Sequence, residues 1–141
     1  MQKLKQFMDY SGVHSHNQNE ILRMIEGHNL IVLSEEDFIN ALSYGEEIVT
    51  ANISRKDIKE KNEYFQHVTD YMKNSEAMIS IFEINNADEL NEDDKLMMKY
   101  VCDNSNVDAL CFLDFKLVAD ISEARVMFLF AGYKKGVACK N

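Results

Sequence analysis

Glu123-Ala124-Arg125-Val126-Met127-Phe128-Leu129-Phe130-Ala131-Gly132-Tyr133 is the stretch on which the fold turns. Its unbroken apolar run is short, aromatic and closed by a glycine, which reads as a strand and not as a helix. The run Asp108 to Val118 before it has the same character. The two are expected to form an antiparallel hairpin joined near Ala119-Asp120-Ile121-Ser122. Upstream, Ala77 to Ile84 is β-rich and is followed by the turn Asn85-Asn86-Ala87-Asp88. A helix then runs to about Asp103 with Leu90, Met97, Tyr100 and Val101 inward, and Asn104-Ser105-Asn106 breaks it.

The first half repeats this alternation. Leu30-Ile31-Val32-Leu33 is a short apolar run expected as a strand. Ser34 is a helix N-cap, with Glu35, Glu36 and Asp37 facing the positive end of the helix dipole. That helix carries Phe38, Ala41 and Leu42 and stops by Gly45. Glu47 to Ile53 alternates as a strand. Ser54-Arg55-Lys56-Asp57 opens one long helix whose Ile58, Phe65, Val68 and Met72 share a face. The order β-α-β-α-β-α-β-β implies an α+β domain over residues 30–133, a mixed sheet packed with amphipathic helices as a two-layer sandwich. Residues 1–29, with stripes at Leu4, Phe7, Met8 and at Ile21, Leu22, Ile25, read as a helical arm, and 134–141 as a tail.

At 141 residues the chain has the length of one domain. Its 24 acidic and 15 basic residues give a net charge of −9, which repels phosphate backbones and anionic lipid. Nucleic-acid and membrane-surface roles are therefore not expected. Cys102, Cys111 and Cys139 are odd in number and lack CxxC spacing, so they read as buried, reduced thiols of a cytoplasmic protein. The N-terminal segment has no long apolar core of the signal-peptide type.

The segment Leu30 to Tyr133 resembles the C-terminal domain of the FtsZ/tubulin family. The resemblance rests on Leu30-Ile31-Val32-Leu33-Ser34-Glu35-Glu36-Asp37-Phe38, similar to that family's synergy loop and the helix behind it. It continues through Glu47–Ile53, Ala77–Ile84, Asp88–Val101 and the pair Ala109–Phe115 and Arg125–Tyr133. It implies a surface that meets another subunit, formed by Leu30, Ile31, Leu33, Glu35, Glu36, Asp37 and Phe38. Two departures bear on activity. The five glycines are scattered singly, so no glycine-rich loop exists to cradle a nucleotide phosphate. Where the family places an Asn followed by two acids, this chain has Val32, Ser34 and Asp37.

Other constellations are weak. His14-Ser15-His16 falls short of the three or four converging ligands a metal needs. Asp88, Glu89, Glu92, Asp93 and Asp94 lack the alternation and central glycine of an EF-hand loop and read as an acidic helix start. No nucleophile elbow, dinucleotide fingerprint or zinc-protease motif occurs. The expected function is a non-catalytic protein–protein interaction module without cofactor or metal, binding a filament-forming cytoskeletal GTPase or a second copy of itself. The alternative is a small-molecule-binding domain or enzyme with a cleft between helices and sheet, using Arg55, Arg125 and His67.

Overall fold

The computed structural model describes residues 2–134 apart from 46, 87 and 122; of the expected tail, 135–141 lie outside the described residues, with Gly136 and Cys139. In chain order the elements are α1 (Gln2–Tyr10), α2 (Ser15–Ile25), β1 (His28–Asn29), α3 (Glu35–Leu42), β2 (Ile48–Ser54), α4 (Arg55–Glu60), α5 (Glu63–Asn74), β3 (Ala77–Ile84), α6 (Glu92–Asn104), β4 (Leu110–Leu117) and β5 (Arg125–Ala131). The strands form one mixed sheet in the order β1-β4-β3-β5-β2. β3 and β4 are parallel, joined through α6, and the remaining pairs are antiparallel.

The α+β class is as the sequence predicts, but the final two strands do not form a hairpin. β5 lies between β3 and β2, with Leu129 opposite Ile79 on one side and Thr50 on the other. The reason is burial. From Val126 to Ala131 every residue of β5 is buried, so it needs neighbours on both edges and cover on both faces. β4, which carries Asp114 and Lys116 and is mostly half-buried, lies next to the edge, flanked on its outer side only by the two residues of β1.

Helices cover both faces of the sheet. On one face, Ala77, Ile79 and Ile81 of β3 and Met127, Leu129 and Ala131 of β5 pack against Leu4, Met8, Ile21, Met24, Phe38, Ala41 and Leu42. On the other, Met78, Phe82, Ile84, Val126, Phe128 and Phe130 pack against Val68 and Met72 of α5 and Met97, Tyr100 and Val101 of α6. The expected two layers are thus joined by a third, made by α1, α2 and α3. All of β3 is buried, the pattern of a strand covered on both sides.

Three local expectations are corrected. Only His28 and Asn29 pair as a strand; the chain leaves the sheet after Leu30, and the side chains of Leu30, Ile31 and Val32 face solvent. The helix after Ser54 is two helices, because Lys61 is left-handed at φ 49° and ψ 46° and Asn62 caps the second by accepting from Phe65 N at 2.8 Å. Cys102 and Cys111 are exposed, the one turned outward beside buried Val101 and the other on β4, beyond the reach of two-residue β1.

Three of the helix starts share one device. Ser34 with Asp37, Ser54 with Asp57, and Asn91 with Asp94 each form a reciprocal capping box, Asp serving where Glu is usual. Two acids of the cluster before α6 are engaged: Asp94 is buried in its cap and Asp93 lies 2.8 Å from Arg55.

Candidate functional site

β1 sets up the site. Asn29 lies opposite Lys116, and Leu30 extends that ladder by one bond from its N–H to the Phe115 carbonyl at 2.9 Å. The chain then turns off the sheet, because Asp114 captures its next two amides. Ile31 N donates to Asp114 Oδ1 at 2.8 Å and Val32 N to Oδ2 at 3.2 Å. Asn29 Nδ2 donates to Oδ2 at 3.3 Å and Phe115 N to Oδ1 at 2.7 Å. Asp114 itself is fully buried. A buried carboxylate is tolerable only when hydrogen-bonded, and here four N–H groups converge on it.

The turn forces Val32 to φ 59°. A β-branched residue in the left-handed region is a genuine outlier, at a cost of about 1–2 kcal/mol, and persists only where its surroundings over-determine it. Asp114 supplies that constraint. The outcome is an apolar triplet held out to solvent, with Leu30 45%, Ile31 57% and Val32 69% exposed.

The seven residues singled out from the sequence divide here. Leu30 and Ile31 lie on this surface. Leu33 and Phe38 turn inward to the core under α1, α2 and α3. The acidic side chains hold α1 to α3: Glu35 accepts from Leu4 N at 3.1 Å and Glu36 pairs with Lys3 at 2.8 Å. Asp37 closes the cap on Ser34 N at 2.8 Å. Sequence reasoning missed Asp114. Its signal was an acid between Leu113 and Phe115, on the same strand face as the half-buried Leu110 and Phe112.

The groups proposed for a small-molecule cleft are each engaged by a different acid. Arg55 Nε lies 2.8 Å from Asp93, with its N–H not aimed at the carboxylate. Arg125 pairs with buried Glu83, and His67 Nε2 lies 3.7 Å from Glu63. His14 caps α2, its Nδ1 accepting from His16 N at 3.3 Å. Among the described residues no three His, Cys, Asp or Glu side chains are grouped to hold a metal, and no helix is long and apolar enough to cross a membrane.

Two open depressions among the described residues flank α5. One, of about 430 Å³, runs between α4, α5 and α6 and sets Lys61, Lys73 and Lys99 around Phe65 and Tyr100. Its charge is partly cancelled by Asp103, 2.8 Å from Lys99. The other, of about 240 Å³, is lined by His67, Asp70, Tyr71 and Tyr133. There the Tyr133 hydroxyl donates to Asp70, and this bond, with burial and the negative charge of Asp70, pushes the phenol up to about 12. A raised pKa means the fold favours the neutral phenol. Its contribution is complete below the unfolded value near 10 and is lost as pH rises toward 12. Tyr133→Phe is expected to flatten the alkaline limb of a stability-versus-pH curve in that window, measured by urea denaturation. An unchanged limb would assign the alkaline loss to other groups.

No protein-family model matches this sequence, and no curated protein matches it.

Proposed function

We propose that this chain is a non-catalytic protein–protein interaction module whose docking element is the Leu30-Ile31-Val32 loop. The observation that carries the reading is the pairing of an exposed apolar triplet with a strained backbone clamped by buried Asp114. A mobile apolar loop would lose conformational entropy on binding. One already fixed avoids much of that loss. Solvent-facing aliphatics held at such a cost have a use outside the monomer.

The partner favoured by the resemblance of residues 30–133 is a subunit of a filament-forming cytoskeletal GTPase. Docking through the face around residues 30–42 would cap or modulate assembly. With Val32 and Ser34 in place of polar loop residues, inhibition or neutral binding fits better than stimulated hydrolysis.

The test is co-sedimentation of the purified protein with such filaments, beside the double substitution Leu30→Ser with Ile31→Ser. Both side chains are exposed, so folding stability should stay within about 0.5 kcal/mol of the parent. Binding should fall by roughly 10-fold or more, the loss typical of a truncated anchor pair. Filaments that ignore the parent protein, or bind the double variant equally well, overturn this reading.

A further inference from the structure

The two edges of the sheet are treated differently. On β2 the outward backbone groups belong to Ile48, Thr50, Asn52 and Ser54, and side chains occupy several of them. Asn17 Nδ2 donates to Ile48 O at 3.0 Å, Asn52 N donates to the Tyr64 hydroxyl at 2.9 Å, and Ser54 N donates to Asp57 at 2.9 Å. An edge blunted in this way resists strand addition.

β4 has no such protection. Leu110 N bonds to Glu76 O and Val118 N to Ile84 O, so its even-numbered residues face β3 and its odd-numbered ones face outward. Phe115 and Leu117 are covered by Leu30 and β1, and Phe115 N is taken by Asp114. No described residue hydrogen-bonds the outward N–H and C=O of Cys111 or Leu113. The chain that would have covered them is the one that Asp114 turns away at Ile31. The bare segment Ala109-Leu110-Cys111-Phe112-Leu113 carries no charge and no proline, the devices that usually guard an edge.

Resting on the interaction-module reading, we propose that the occupant of this surface is a second copy of this chain, its β4 paired antiparallel with the first about a two-fold axis at Phe112. The free groups are self-complementary in that register. Cys111 of each copy falls opposite Leu113 of the other, and all four unpaired groups of each copy are satisfied without displacing Leu30 or β1. The strand of the second copy ends at Leu110, where the turn closed by Ala109 N to Asn106 O at 3.1 Å leads its chain off the edge beside Leu30. That turn carries Val107, 94% exposed, to the rim of the paired edge. One register thus covers the bare edge without occupying the Leu30–Val32 loop. Two chains of charge −9 repel at long range while the contact itself is uncharged, so added salt should tighten the dimer.

The experiment is sedimentation equilibrium across a concentration series at low and moderate salt, combined with residue-resolved amide hydrogen exchange. The expected result is a monomer–dimer equilibrium, tighter with salt, in which the Cys111 and Leu113 amides become protected as concentration rises. Cys111→Lys, a charge on an exposed edge position, should give a monomer with both amides unprotected. Should that variant not fold, Val107→Asp lies outside the strand and should weaken the dimer at least 10-fold. A parent that is monomeric throughout, or a dimer indifferent to Cys111→Lys and Val107→Asp, overturns the proposal. A monomer that still binds filaments through Leu30 and Ile31 overturns the pairing alone. A monomer that binds none overturns the interaction reading as well.

Discussion

Asp114→Ala should lower the stability of the fold by about 3–5 kcal/mol, a large part of the 5–15 kcal/mol typical of a domain. The substitution strips partners from Ile31 N, Val32 N, Phe115 N and Asn29 Nδ2 together. An orphaned buried donor costs about 1–3 kcal/mol, and loop amides that can swing out to water cost less. With the carboxylate gone, nothing holds Val32 at its positive φ, and recovery of that strain offsets about 1–2 kcal/mol of the loss. Thermal denaturation should show a fall in Tm on the order of 10 °C, given about 2–4 °C per kcal/mol for chains of this size or slightly larger. Asp114→Asn should fall about midway, since one acceptor oxygen becomes a donor facing other donors. The loss should also appear in docking, because a released loop no longer presents Leu30 and Ile31 in one arrangement. A variant as stable as the parent would mean that Asp114 does not anchor the loop.

Features encoded locally were legible in the chain. The N-cap at Ser34 and the capping box at Ser54 were readable because a cap and the residues it bonds lie within one turn. The strands at Ala77–Ile84 and Arg125–Ala131 stood out as short, bounded apolar runs. Strand order was not legible. β-rich runs adjacent in sequence are often adjacent in space, yet which one takes the centre depends on how many of its faces and edges must be buried. The Leu30–Leu33 run was misread as a strand for a related reason. Apolar composition normally signals burial, and here the exposure is enforced by a carboxylate 82 and 83 residues further along the chain. No local window contains that contact. Lys61 was hidden because the apolar stripe Ile58, Phe65, Val68, Met72 carries on past a break that only a left-handed lysine records. The cysteines were misassigned by their neighbours: Cys111 sits among Leu110, Phe112 and Leu113, but on the bare edge of the sheet.

Phe38→Ala should be the sharpest contrast to the loop substitutions, although Phe38 lies only seven residues beyond Ile31 in the same segment. Phe38 is fully buried on α3 in the cluster that joins α1, α2 and α3 to β3 and β5. Removing its ring loses the transfer free energy of the side chain and leaves a cavity, together about 3–5 kcal/mol. The eight residues of α3 are too few to be helical alone, so its order depends on that packing. The expected result is a drop in urea midpoint at unchanged slope. Docking should be retained in the fraction that stays folded, because Leu30, Ile31 and Val32 are fixed by Asp114 on β4 and not by α3. Binding scored without stability would count Phe38 as a contact residue. Measured together, a stable Leu30→Ser, Ile31→Ser variant that does not dock and an unstable Phe38→Ala variant that does would separate the surface from its support. A Phe38→Ala protein of parental stability that fails to dock would move the docking surface from the loop onto α3.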